Sequence, residues 1–85
     1  MKIIYTSQFV RGYKKLPRKI KLVAEKKEII FRKNPFEISL DTHKLHGKLR
    51  QFWSFRINFD YRIVFEFYEK DIIYFHLAGS HSVYQ

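Results

Sequence analysis

Eighty-five residues carry 17 Lys or Arg against 8 Asp or Glu, a formal net charge of +9, which leaves room for one small core and favours a polyanionic partner: nucleic acid, an acidic protein or an anionic surface. The absence of cysteine excludes a disulfide framework, a cysteine nucleophile and a cysteine-based zinc site. No apolar run approaches a membrane span and Met1–Tyr5 is too short for a signal peptide, so the expected setting is the cytoplasm, with no membrane partner.

The first strand is predicted over 2–6, and Ser7 is the candidate N-cap of a short helix. Phe9, Tyr13 and Leu16 draw one apolar stripe along it. Pro17 suits the first turn of a second helix, which buries Ile20, Val23, Ala24, Ile30 and Phe31 and stops at Asn34-Pro35. The two helices form a hairpin whose stripes must pack on a sheet. Their outward positions between Arg11 and Lys33 are mostly Lys and Arg, with only Glu25 and Glu28 opposing them. Residues 36–51 read as a loop or irregular extended segment anchored by Leu45 and Leu49. From it His43, Lys44, His46, Lys48 and Arg50 project a basic patch suited to phosphates.

Three alternating runs follow, 52–58, 62–67 and 72–78. Their period of two places Trp53, Phe55, Ile57, Ile63, Phe65, Phe67, Ile73, Phe75 and Leu77 on one apolar face. Residues facing each other in an antiparallel pair share a face, which fixes the parity of the register. A three-residue loop, Phe59-Asp60-Tyr61, then sets Asn58 opposite Arg62, Arg56 opposite Val64 and Phe55 opposite Phe65. A turn at Glu69-Lys70-Asp71 places Phe65 beside Phe75, Val64 beside His76 and Arg62 beside Ala78. Arg62 thereby occupies one end of the sheet, within reach of His81 in the tail that follows Gly79. That corner is the candidate site.

The element order resembles the RelE/ParE superfamily of type II toxins, most of all its YafQ-like and RelE-like messenger RNA endoribonucleases. The resemblance runs through Leu16-Pro17-Arg18, Arg32-Lys33-Asn34-Pro35-Phe36, His43-Lys44-Leu45-His46-Gly47-Lys48-Leu49, Phe52-Trp53-Ser54, Asp60-Tyr61-Arg62-Ile63-Val64-Phe65 and Gly79-Ser80-His81-Ser82-Val83-Tyr84. It implies one domain over 1–85 of α+β class: a small antiparallel sheet in β-α-α-β-β-β order with an N-terminal helical hairpin on one face, like microbial ribonucleases. It also implies a cognate antitoxin partner and cleavage of mRNA in the ribosomal A site, with 16S ribosomal RNA contacts. His81 looks like the family's proton donor, Arg62 matches an arginine of RelE-like members, and Tyr84 matches a terminal aromatic. His43 and Asp60 match polar positions of YafQ-like members, whereas Arg56 stands where those relatives have a histidine.

Metal-free RNA cleavage needs a base for the 2′-hydroxyl, a cation for the phosphorane and an acid for the departing 5′-oxygen. Histidine carries protons near neutral pH, and guanidinium clamps phosphoryl oxygens bidentately. His81 is therefore the expected general acid and Arg62 the clamp, supported by Arg56; Tyr84 stacks on a base or bonds the phosphate. Asp60 and His43 remain alternatives for the general base. A metal drawn on His43, His46 and His81 lacks carboxylate support in a cationic neighbourhood, so neither metal nor small-molecule cofactor is expected. Two other readings of the same fold stand beside a ribosome-dependent nuclease: a ParE-like gyrase poison, and an inactive RNA-binding module.

Overall fold

The computed structural model describes residues 1–84, with side chains described through Ser82. The chain forms β1 (Lys2–Tyr5), α1 (Ser7–Lys14), α2 (Arg18–Lys33), β2 (His43–Lys44), β3 (Trp53–Arg56), β4 (Tyr61–Glu69) and β5 (Ile72–Ser80). The expected α+β architecture is present, with the helical hairpin on one face of the sheet. Among the described residues the sheet has five strands in the order β1-β5-β4-β3-β2. β1 runs parallel to β5 and the other pairs are antiparallel. The segment expected to be irregular contributes β2, a two-residue edge strand, between helical turns at Ile38–Leu40 and Gly47–Leu49. So short an edge offers little template for pairing with another chain.

Thr6, not Ser7, caps α1: its extended backbone lets Oγ1 accept the Phe9 N–H at 3.1 Å. Ser7 is already in the first helical turn. Pro17 precedes α2 as expected, and Asn34 leaves the helix with extended dihedrals. Phe31 of α2 is fully buried, its ring 4.9 Å from those of Phe55 and Phe65 and 5.5 Å from that of Phe75. Phe9 of α1 meets Phe75 at 5.4 Å. Each such ring, wholly withdrawn from water, contributes about 1.5–3 kcal/mol, so this aromatic stack fixes the hairpin to β3, β4 and β5.

Two register expectations fail, for different reasons. Arg56 faces Arg62, Ser54 faces Val64, Phe55 faces Ile63 and Trp53 faces Phe65. The parity is as argued but the pairing slips by two residues, because Asn58 stays in the turn: its Oδ1 accepts the N–H groups of Asp60 and Tyr61, each at 2.9 Å. Between β4 and β5, Phe65 does face Phe75, but a bulge follows, and Val64 faces Leu77, Ile63 faces Ala78 and Arg62 faces Gly79. The extra residue exchanges the faces of the strand beyond it. Ala78 therefore joins the core in place of Leu77, which is only half-buried. Val64, Ser54 and Leu45 are buried but stand outside the main core cluster; Val64 and Ser54 share a rung on the face turned away from the helices.

Candidate functional site

One end of the sheet gathers the C-terminal end of β5, the first residues of β4, the last of β3 and the start of β2. There a cleft of about 240 Å³ is lined by Phe59, Asp60, Arg62 and His81. Three of the five expected catalytic residues thus share one cavity. His81 opens the helical turn after β5, its side chain exposed and its backbone N–H donated to the Asp60 carbonyl at 2.7 Å.

Arg62 is only 8% exposed. Its Nη1 donates to the carbonyls of Asn58 (2.8 Å), Phe59 (3.3 Å) and Tyr61 (3.4 Å). A buried guanidinium must have polar partners, and here the hairpin loop supplies them as dipoles. Every side-chain hydrogen bond it makes among the described residues leaves from Nη1, and Nε is buried without a partner. The ion pairs among the described residues are Arg32–Glu28, Arg56–Asp41 and His76–Glu66, so Arg62 makes no ion pair with a carboxylate of the described residues. Gly79, opposite it on β5, adds no side chain beside the guanidinium.

Arg56 stands directly across from Arg62 on β3, and like charges so placed repel. Asp41 relieves that, accepting from Arg56 Nη2 at 3.2 Å. Both partners are open to solvent, so the pair adds little stability. Its consequence is electrostatic: the Arg56 guanidinium has a carboxylate beside it, and the buried Arg62 guanidinium has no ion-pair partner among the described residues. Asp41 adopts a left-handed backbone (φ 49°), and its carbonyl lies 2.9 Å from His43 Nδ1. A carbonyl only accepts, so Nδ1 carries the hydrogen and a neutral His43 presents Nε2 as its basic atom.

His43 itself is on β2, in register with Ser54, and does not line the cleft. Lys44, His46, Lys48 and Arg50 are all exposed along 44–50 and likewise stay outside it. The Tyr84 side chain lies outside the described residues. His76 pairs with Glu66 at 2.9 Å, away from the cleft. Among the described residues no group of three or more His, Cys, Asp or Glu is placed to hold a metal ion. No helix is long and apolar enough to cross a membrane. A second cavity of about 380 Å³ lies against α1, lined by Gly12, Lys15, Leu16, Tyr61, Ala78, Gly79 and Ser80, and contains none of the expected catalytic side chains.

Two participants escaped the sequence reading. Asp41 was unmarked because its partner comes from another strand; Phe59 was passed over as a loop residue, although a large apolar side chain between Asn58 and Asp60 in a hairpin tip was itself a signal.

Residues 8–78 match a protein family described as the RelE-like toxin of the type II toxin-antitoxin system HigB. No curated protein matches the chain. Among solved structures, a YoeB/ParE toxin from Agrobacterium tumefaciens is 18% identical over 95% of this chain and 99% of its own, with a TM-score of 0.79. YafQ from E. coli strain BL21(DE3) is 16% identical over 96% of this chain and 94% of its own, with a TM-score of 0.80. YoeB in the YoeB–YefM complex from Staphylococcus aureus is 21% identical over 95% and 97%, with a TM-score of 0.76. Likeness at these identities establishes the fold.

Proposed function

The chain belongs to the RelE-like toxins of type II toxin-antitoxin systems, and from that premise we propose that it is an endoribonuclease that cuts mRNA on the ribosome by metal-free acid–base transesterification. The observation that carries this reading is the cleft that brings together the buried Arg62 guanidinium, which makes no ion pair among the described residues, the His81 imidazole and the Asp60 carboxylate. In the proposed reaction the 2′-oxygen attacks phosphorus, its proton passes to the base, and the bond to the 5′-oxygen breaks as His81 protonates it. The products are a 2′,3′-cyclic phosphate and a 5′-hydroxyl. Arg62 holds the phosphoryl oxygens as charge builds on them; losing one such donor costs about 10²–10³ in rate in comparable sites.

Asp60 is the better candidate for the base because it lines the cleft, whereas His43 stands on β2, two strands from β4. Two strand spacings amount to roughly 10 Å, so His43, with Lys44, His46, Lys48, Arg50 and Arg56, suits contacts to the RNA backbone on either side of the cut. The proposed protein partner is a cognate antitoxin, a reading supported by the complex of the S. aureus relative YoeB with YefM.

Purified protein added to translating ribosomes tests the proposal. Cleaved mRNA is expected, with losses of about 10²-fold or more in His81→Ala and Arg62→Ala variants that stay folded. Asp60→Asn separates the bases: it removes the carboxylate while His43→Gln leaves cleavage largely intact. Cleavage unchanged in both the His81 and Arg62 variants would overturn the site, and intact mRNA accompanied by DNA breaks would move the function to gyrase poisoning.

A further inference from the structure

Phe59 is 82% exposed at the tip of the β3–β4 hairpin, on the wall of the cleft. Single exposed apolar residues are common and ordinarily call for no explanation. Three observations set this one apart. Every other phenylalanine in the chain meets a neighbouring ring, the partners of Phe36, Phe52 and Phe67 included, whereas Phe59 meets none among the described residues and stands outside the core. The loop that carries it is braced, in that each of its carbonyls is engaged. Those of Asn58 and Phe59 accept from Arg62 Nη1, that of Asp60 from the His81 N–H, and that of Tyr61 from the Ile57 N–H at 2.9 Å. Finally, two of those donors belong to the residues proposed to handle the phosphate, so ring and reaction centre are held by the same bonds.

We propose that Phe59 is the stacking platform for the nucleobase next to the scissile phosphate, taking unpaired RNA bases without sequence preference; this rests on the nuclease reading above. A cavity of about 240 Å³ falls below the roughly 300–1,000 Å³ of sites that enclose a whole small molecule. It suits a phosphate and its sugar, and leaves the attached base at the rim, where the exposed ring stands. An aromatic face stacks on any base, since every base has a π-face. The adjacent Arg62 cation, which makes no ion pair among the described residues, makes RNA, which supplies phosphate and base together, a better occupant than a protein side chain. Because the loop is already ordered, little conformational entropy is lost when the base docks.

The test uses the intact protein and single-stranded RNA carrying a 2′-O-methyl group at the cut position, on programmed ribosomes if free RNA is not cleaved. A parallel oligonucleotide is abasic at the neighbouring nucleotide. Phe59→Ala is expected to weaken binding of the base-bearing RNA by about 5- to 100-fold and to cost nothing on the abasic RNA. Phe59→Trp should bind as the native protein does, while Phe59→Leu, equally apolar but without a π-face, should resemble alanine. A 2-aminopurine at the same nucleotide should be quenched by the native and Trp proteins only. An equal loss on both RNAs, a leucine variant as good as the native protein, or a loss confined to antitoxin binding would each overturn the stacking role. A Phe59→Ala protein that cuts and binds normally sinks stacking alone, whereas a native protein that neither binds nor cuts RNA sinks the nuclease reading with it.

Discussion

Alanine at position 12 would place a Cβ 2.5 Å from the Ala78 carbonyl oxygen, where α1 crosses β5. Ordinary van der Waals contact begins at roughly 3.5 Å, so the helix and strand must part by about 1 Å. The wall is main chain from a central strand, not a flexible side chain that swings aside. Overpacking of this kind costs about 1–3 kcal/mol, and the rigid wall argues for the upper end. Against it stands the helix propensity gained on replacing glycine, about 1 kcal/mol. The clash wins, and Gly12→Ala should be destabilised by about 2 kcal/mol. For a domain of this size that is a fall in Tm of roughly 8–16 °C, since each kcal/mol is worth about 4–8 °C. Thermal and urea unfolding with unchanged m-value would measure it. Ala78 lies three residues before His81, so the parted strand should also lower the proposed RNA cleavage more than an equally destabilised variant in α2. A Gly12→Ala protein as stable as the native one would refute the close approach.

The Ser54 hydroxyl is wholly buried with no hydrogen-bond partner among the described residues; Ser54→Ala should raise stability by about 1 kcal/mol in urea unfolding, because it removes the desolvation cost of an unpaired polar group. The Tyr5 phenol is pushed above its usual range by burial and by its hydrogen bond to the Glu28 carboxylate, and Tyr13 by burial and the nearby Glu25 charge. Both favour the neutral phenol in the folded state, so their contribution is complete below about pH 10 and is lost as pH rises through the folded values. Ultraviolet titration of the native protein beside Tyr5→Phe and Tyr13→Phe variants should show each variant losing a tyrosine that ionises above the usual phenol range, and Tyr5→Phe should flatten part of the alkaline fall in stability. An alkaline limb unchanged by Tyr5→Phe would contradict the assignment.

Elements whose signal lay in their own residues were legible in the sequence. The stripes of the two helices, Pro17 at their junction and the Phe55, Ile63, Phe65 and Phe75 faces all follow from periodicity, and all are seen. Features that depend on competition between neighbouring backbones were not. Whether Asn58 lengthens a turn or begins a strand is decided by two hydrogen bonds that its side chain offers the loop. The bulge has no local residue signature, and moving Ala78 for Leu77 into the core reverses a pattern that alternation alone supports. The corner joining Arg62 and His81 was anticipated because a shift of one residue between β4 and β5 still leaves Arg62 level with the end of β5. Its detailed neighbours, Gly79 in place of Ala78 and Arg56 in place of Asn58, were not. Gly12 carried no signal at all, since its significance is the carbonyl of a strand more than sixty residues later.

The irregularity in β5 makes strand length as constraining as strand composition. Upstream of it the odd-numbered Ile73 and Phe75 point inward; downstream the even-numbered Ala78 does, and odd-numbered Gly79 lies level with Arg62. Two residue steps of β5 thus lie against one of β4, and the chain leaves the sheet one residue past Gly79, with His81 opening the helical turn that follows. Removing His76, the residue left unpaired between Phe75 and Leu77, would straighten the strand and keep Ala78 inward and Gly79 level with Arg62, whereas adding a residue between Leu77 and Gly79 would turn the end of the strand over. The end of β5 should therefore tolerate a replacement far more readily than the gain of a residue.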